Sequence, residues 1–133
     1  DFVKPTGDKM NAEISLPILE SIFYKNSPLH DGAIIIKENF IKTTDNCVDD
    51  FLNGDFNSLF VNMKTLSKVV LENFKPMIPK DFHQLWAKGI ESDDYFLKLC
   101  GSGGGGYILG FSKDFQKAKE SLSDYKLELV YNF

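Results

Sequence analysis

A chain of 133 residues, 43% hydrophobic and 26% charged, is long enough for one buried core and too short for two ordinary domains. Its net charge of −4 excludes a basic footprint for nucleic acid or an anionic membrane. All 15 basic residues are lysines, so a bidentate guanidinium clamp on phosphate cannot come from this polypeptide.

Ser15 is placed to cap a short helix over residues 15–23, with Pro17 tolerated in its first turn and Ile14, Ile18, Leu19, Ile22 and Phe23 on its apolar side. Asn26-Ser27-Pro28-Leu29-His30-Asp31-Gly32 is a dense turn cluster. The run 33–37 reads as a strand, and Glu38-Asn39 as a tight turn before Phe40-Ile41. Residues 45–52 read as a helix stopped by Gly54. Asp55 then caps a longer helix in which Leu59, Met63, Leu66, Val70 and Phe74 recur at steps of three and four, ended by Pro76 and Pro79. Asp81 opens a third helix carrying Phe82, Leu85, Trp86 and Ile90. Strands at 95–100 and 107–111 flank a glycine run, and a helix over 113–122 follows with Phe115, Ala118 and Leu122 on one face. Leu127, Leu129, Tyr131 and Phe133 alternate with polar neighbours in a last strand. The order implies an α+β fold, with helices on one face of a small, mainly antiparallel sheet and an N-terminal helix–strand addition.

Between the two central strands stands Lys98-Leu99-Cys100-Gly101-Ser102-Gly103-Gly104-Gly105-Gly106-Tyr107, with five glycines in six positions. Successive N–H groups of such a loop can converge on an anion, often a phosphate. The same composition also makes a flexible linker. Only residues 107–133 follow it, too few for a second core, which favours a loop within one domain. Cys47 and Cys100 make neither a metal-ligand spacing nor a disulfide framework, and Cys100, ending an apolar strand, is expected to be a buried thiol. No His/Cys/carboxylate set has ligand spacing, so no metal site is expected. Neither a signal peptide nor an apolar run of about 18 residues is visible, so the chain reads as cytoplasmic, and its start at Asp1 reads as that of a fragment or a processed chain.

From about residue 45 to 133 the chain resembles the C-terminal domain of GHMP-type small-molecule kinases, most closely mevalonate kinase-like members. The carriers are the segment from Lys98 to Tyr107, the preceding stretch from Met77-Ile78-Pro79 to Trp86, and the helix after the second strand. Cys100, Ser102 and Tyr107 depart from the usual Thr, Ala and Cys of that motif. The resemblance implies a ferredoxin-like fold and a phosphate-facing glycine loop made by Gly101, Ser102, Gly103, Gly104, Gly105 and Gly106 with Lys98 at its mouth. It also implies transfer of a phosphoryl group from Mg-ATP to a small alcohol. The Gly/Ser-rich loop that grips nucleotide in the N-terminal half of such kinases has no counterpart before Lys98, so this chain alone is expected to be catalytically silent.

Residues 2–41 resemble a different family, the diadenylate cyclase domain, which condenses two ATP into cyclic di-AMP. The carriers are Asn11-Ala12-Glu13-Ile14-Ser15 and Ser27-Pro28-Leu29-His30-Asp31-Gly32-Ala33. Asp31, Gly32 and Ala33 match the family's Asp-Gly-Ala motif, whose carboxylate serves the ribose hydroxyl or a metal near the attacking oxygen. The family's Arg-His-Arg phosphate-binding segment is absent, and its active form is two facing protomers, each carrying a complete half-site.

The two resemblances meet near Ile41 and Asp45 and imply a chimera, residues 1–42 cyclase-like and 43–133 kinase-like. ATP and Mg²⁺ are the ligands both imply. The primary reading is an incomplete kinase-derived domain, and the alternatives are a cyclase fragment using Asp31 or a non-enzymatic folded module. The expected partners are a nucleotide or small molecule and a second copy of the chain; nucleic acid and membrane are not expected. Asp31 also suits an Asx turn before Gly32, His30 a turn and His83 a partly packed helix position. Trp86 suits the core, Ser102 either a phosphate contact or a turn cap, and Lys98 either a phosphate or a path over an open sheet face. Asp49-Asp50, Asp93-Asp94 and the lysines 113, 117 and 119 read as solvated surface.

Overall fold

Gly54 and Asp55 divide the two longest helices, and both act as the sequence indicates. The computed structural model describes residues 30–101 and 106–132, with side chains from residue 36 onward. Helix α1 spans His30–Asn53. It ends where Gly54 takes φ +71°, the Gly54 N–H donating to Phe51 O and the Asp55 N–H to Asp50 O at 2.9 Å; this bond pair is a Schellman closure. Asp55 then caps α2 (Phe56–Asn73), its carboxylate accepting from the Ser58 N–H at 3.1 Å and the Ser58 hydroxyl at 2.9 Å.

The two helices fold back on each other as an antiparallel hairpin. Asn62 donates to the Asp50 carboxylate at 2.7 Å near the closed end, and Phe40 meets Phe74 edge-to-face at 5.9 Å near the open end. Two 3₁₀ turns, Lys75–Met77 and Lys80–Phe82, carry the chain past Pro76 and Pro79 into α3 (His83–Ser92). Strands β1 (Phe96–Leu99) and β2 (Ile108–Phe111) pair antiparallel, Phe96 opposite Phe111 and Leu99 opposite Ile108. Helix α4 (Phe115–Ser121) follows, capped by Asp114 through the Lys117 N–H at 3.1 Å.

The core has two parts, and α2 contributes to both. Val70 joins Ile78, Trp86, Tyr95, Leu97, Ala118 and Leu122; Leu59, Phe60, Met63 and Leu66 join Cys47 and Phe96. Neighbouring strand residues point to opposite faces, and Phe96 and Leu97 are both only 4% exposed. β1 is therefore covered on both sides, not on one as the element order suggests. Trp86 locks α3 to α2 by donating its indole N–H to Ser67 O at 2.9 Å, while the Tyr95 hydroxyl donates to Leu85 O at 2.7 Å. The Ser112 hydroxyl donates to Asp94 O at 2.6 Å, tying the end of β2 to the approach to β1.

The structure departs from the sequence reading in four further places. Residues 33–37 are helical, not a strand, and Glu38-Asn39 continues the helix instead of turning. Three successive isoleucines favour a strand locally, yet Phe40 and Cys47 recur seven apart and pack on the second helix, and that packing selects the helix. Residues 126–132 form no strand, and the described sheet has two strands, far short of a ferredoxin-like sheet. Phe115 is 42% exposed, whereas Ala118 and Leu122 are buried. Cys100 is only partly buried, and Cys47 is the core thiol. The helix expected over 15–23 lies outside the described residues. No helix among the described residues is long and apolar enough to cross a membrane.

Candidate functional site

Asp31, Gly32 and Ala33 occupy the first turn of α1, and His30 begins it. The turn cluster that starts at Asn26 therefore does not continue through Gly32. The first N–H groups of a helix have no intrahelical acceptor, and the helix dipole there favours negative charge. Such a turn suits a carboxylate side chain and also an approaching phosphate. The expected boundary at 42/43 falls inside this same helix, which is continuous there; the Thr44 hydroxyl donates to Phe40 O at 2.7 Å across that stretch.

The glycine run lies between paired strands, which makes it the connection of a β-hairpin and removes the linker reading. Gly101 at φ +66° and Gly106 at φ +81° stand at the two ends of the connection. Positive φ at these points requires glycine for backbone reasons alone. Ser102, Gly103, Gly104 and Gly105 lie outside the described residues. Lys98 is half-buried, and its ammonium donates to Leu99 O at 3.1 Å instead of reaching over an open face.

Lys98 sits close enough to Cys47 to act on it electrostatically. Burial and then Asp50 push the Cys47 thiol up to about 11, and Lys98 opposes them. The thiol is 8% exposed and protonated at neutral pH, so it packs and is not a nucleophile. A rise of about 1.5 Å per residue places Asp31 roughly 24 Å along α1 from Cys47. Asp31 and the surroundings of Cys47, where Lys98 lies, are therefore separate places on the molecule.

The remaining candidates have structural roles. Trp86 is a core side chain at 1% exposure. His83 Nε2 lies 2.8 Å from Ile78 O and 3.2 Å from Lys75 O, which makes it the donor that closes the 3₁₀ segment. Asp93, at φ +59° after α3, pairs with Lys64 at 2.6 Å, and Asp94 pairs with Lys117 at 3.7 Å. Lys113 stands over the Phe60 ring at 5.3 Å. A shallow surface depression lined by Asn57, Ser58, Val61 and Asn62 contains none of the residues singled out in the sequence. Among the described residues no three His, Cys, Asp or Glu side chains gather where a metal ion could sit. The surroundings of Cys47 were not legible beforehand, because nothing in the spacing of Cys47, Asp50 and Lys98 announces that Lys98 comes within electrostatic reach of the thiol.

Comparison with known proteins is informative for the N-terminal segment. Residues 1–51 match the family model described as DisA bacterial checkpoint controller nucleotide-binding. The chain is 51% identical over 41 residues to diadenylate cyclase CdaS of Bacillus thuringiensis, covering 31% of this chain and 20% of that protein. It is 54% identical over 41 residues to a diadenylate cyclase of Listeria monocytogenes and 49% identical over 41 residues to cyclic di-AMP synthase CdaA of Bacillus subtilis, covering in both cases 31% of this chain and 15% of the other protein. The chain thus spans about a fifth or less of the length of these relatives. No solved structure matches. These matches support the cyclase resemblance, and they extend it from residue 41 to residue 51, in the last turn of α1. They lend no support to the kinase resemblance, which is set aside.

Proposed function

We propose that residues 1–53 are the opening part of a diadenylate cyclase-type nucleotide site, in which Asp31, Gly32 and Ala33 meet ATP. The observation that carries this reading is the family match over residues 1–51. It is supported by placement, since the motif falls on the N-terminal turn of a helix of 24 residues. There the helix dipole favours the triphosphate, and Gly32 and Ala33 leave the backbone open to close approach. Asp31 is the carboxylate that accepts a hydrogen bond from the ribose hydroxyl or meets the Mg²⁺ that arrives with the nucleotide.

Condensation forms a bond from each ribose hydroxyl to the α-phosphorus of the other ATP and releases pyrophosphate, so charge must be neutralised on both triphosphates. A chain without arginine supplies too little of that neutralisation. Residues 54–133 add a helical and hairpin body in place of the rest of a cyclase domain. The chain alone is therefore a partial site that binds weakly and does not turn over. Calorimetry with Mg-ATP is expected to give a Kd on the order of 1 mM, weakened several-fold by Asp31→Asn, with no cyclic di-AMP by mass spectrometry. Binding unaffected by Asp31→Asn, or no binding at all, overturns the reading and leaves a folded module.

A further inference from the structure

Asn53-Gly54 is the single Asn-Gly pair in the chain, and it stands at the closure of α1. Asn53 is the last residue of that helix, and both residues are exposed. Gly54 has φ +71°, and a Cβ built there would meet nothing within 4 Å. The amides of Asn62 and Asn73 are held by hydrogen bonds to Asp50 and to Val69 O, and neither is followed by glycine. A glycine has no Cβ to shield its peptide nitrogen. At Gly54 that nitrogen and the Asn53 side-chain carbon Cγ can close a five-membered ring.

We propose that Asn53 is a spontaneous modification site, converted to aspartate and isoaspartate through a cyclic imide, and that the closure of α1 sets its rate. Hydroxide takes the proton of the Gly54 N–H, and the nitrogen attacks Asn53 Cγ. The N–Cγ bond forms and the Cγ–Nδ2 bond breaks, the leaving nitrogen taking a proton from water and departing as ammonia. Water then opens the imide. Cleavage of the N–Cγ bond leaves aspartate, and cleavage between the nitrogen and the Asn53 backbone carbonyl carbon leaves isoaspartate. Each conversion consumes a water and releases an ammonia, and nothing is oxidised or reduced.

The fold restrains the first step. The Gly54 N–H is donated to Phe51 O at 3.2 Å, which holds both its proton and its peptide plane. Asn53 is helical, and closing the ring requires it to leave the helical ψ. The end of α1 must therefore open locally before the ring forms, as helix ends do. Conversion then keeps it open. The last carbonyls of a helix lack intrahelical donors, and the dipole there disfavours negative charge. The last turn of α1 has no basic residue, and Asp49, Asp50 and Asp55 are already close in the sequence. Isoaspartate also adds a methylene to the main chain, which puts the Gly54 and Asp55 N–H groups out of register with Phe51 O and Asp50 O.

The test uses the full chain, kept folded or in urea at mildly alkaline pH and then cut with trypsin. The peptide from Thr43 to Lys64 carries Asn46, Asn53, Asn57 and Asn62, so fragment masses compare them side by side. In urea Asn53 should convert fastest of these. In the folded chain it should convert roughly tenfold more slowly, the factor that about 1.4 kcal/mol of local opening gives. Asp55→Ala, which removes the Ser58 cap, should raise the folded rate several-fold and leave the rate in urea unchanged. Asn53→Asp should lower the melting temperature by roughly 2 °C. The proposal is overturned by slower conversion at Asn53 than at its neighbours in urea, by equal rates folded and unfolded, by a folded rate that Asp55→Ala does not move, or by an undiminished melting temperature in Asn53→Asp.

Discussion

Gly89 is the position at which one methyl group separates a packed α3 from a strained one. A Cβ built there would lie 2.5 Å from Tyr95 O and 2.6 Å from Tyr95 Cδ2, closer than carbon atoms approach without displacement. Tyr95 is 1% exposed, and its hydroxyl is anchored on Leu85 O at 2.7 Å, so it has no low-energy way to withdraw. Replacing a mid-helix glycine by alanine gains about 1 kcal/mol in propensity. Overpacking costs about 1–3 kcal/mol, and breaking the Tyr95 bond leaves a polar pair unmatched at about 1–1.5 kcal/mol. The net for Gly89→Ala is a loss of about 2 kcal/mol. With a urea slope of about 2 kcal/mol/M, the midpoint followed by Trp86 fluorescence should fall by about 1 M. An unchanged or higher midpoint would show instead that α3 approaches Tyr95 loosely enough to admit a methyl group.

The other predictions concern single groups. Ser67 is 1% exposed and its hydroxyl is unsatisfied among the described residues; Ser67→Ala leaves the backbone carbonyl that accepts from Trp86 and should raise stability by about 1 kcal/mol in the same urea assay. Because Cys47 is held from its ordinary 9.0 up to about 11, Ellman's reagent at pH 8 should label Cys100 first and Cys47 only as the chain unfolds. The raised thiol also contributes stability that is complete below pH 9 and is lost as pH rises toward 11, readable as a falling melting temperature that Cys47→Ala lacks. The Ser58 backbone and hydroxyl bonds hold the Asp55 carboxyl below the usual carboxylate range. Its contribution is therefore present above the unfolded carboxylate value and is lost as pH falls through the folded one, and Asp55→Asn should flatten that acid limb in a thermal scan.

Much of the fold from residue 54 onward was legible because its signals are local. Gly54 and Asp55 form one stop and one start, Pro76 and Pro79 cannot continue a helix, and alternation on both sides of the glycine run marks a hairpin. What failed depended on neighbours. Residues 33–37 have strand propensity that packing of Phe40 and Cys47 on the second helix overrides, and residues 126–132 have strand propensity but form no strand. At the candidate site the cyclase motif was legible from Asp31, Gly32 and Ala33 together with the residues before them. The glycine run is ambiguous in the sequence because glycine at positive φ, as at Gly101 and Gly106, suits a hairpin connection whether or not phosphate is present.

On the proposed function, nucleotide meets this chain at the first turn of α1 and not at the hairpin. A ¹H–¹⁵N correlation titration of the full chain with Mg-ATP reads both places at once. Shifts are expected at His30, Asp31, Gly32 and Ala33, saturating on the order of 1 mM and lost in Asp31→Asn, with Gly101 and Gly106 unmoved. Shifts confined to Gly101, Gly106 and Lys98, insensitive to Asp31→Asn, would contradict it.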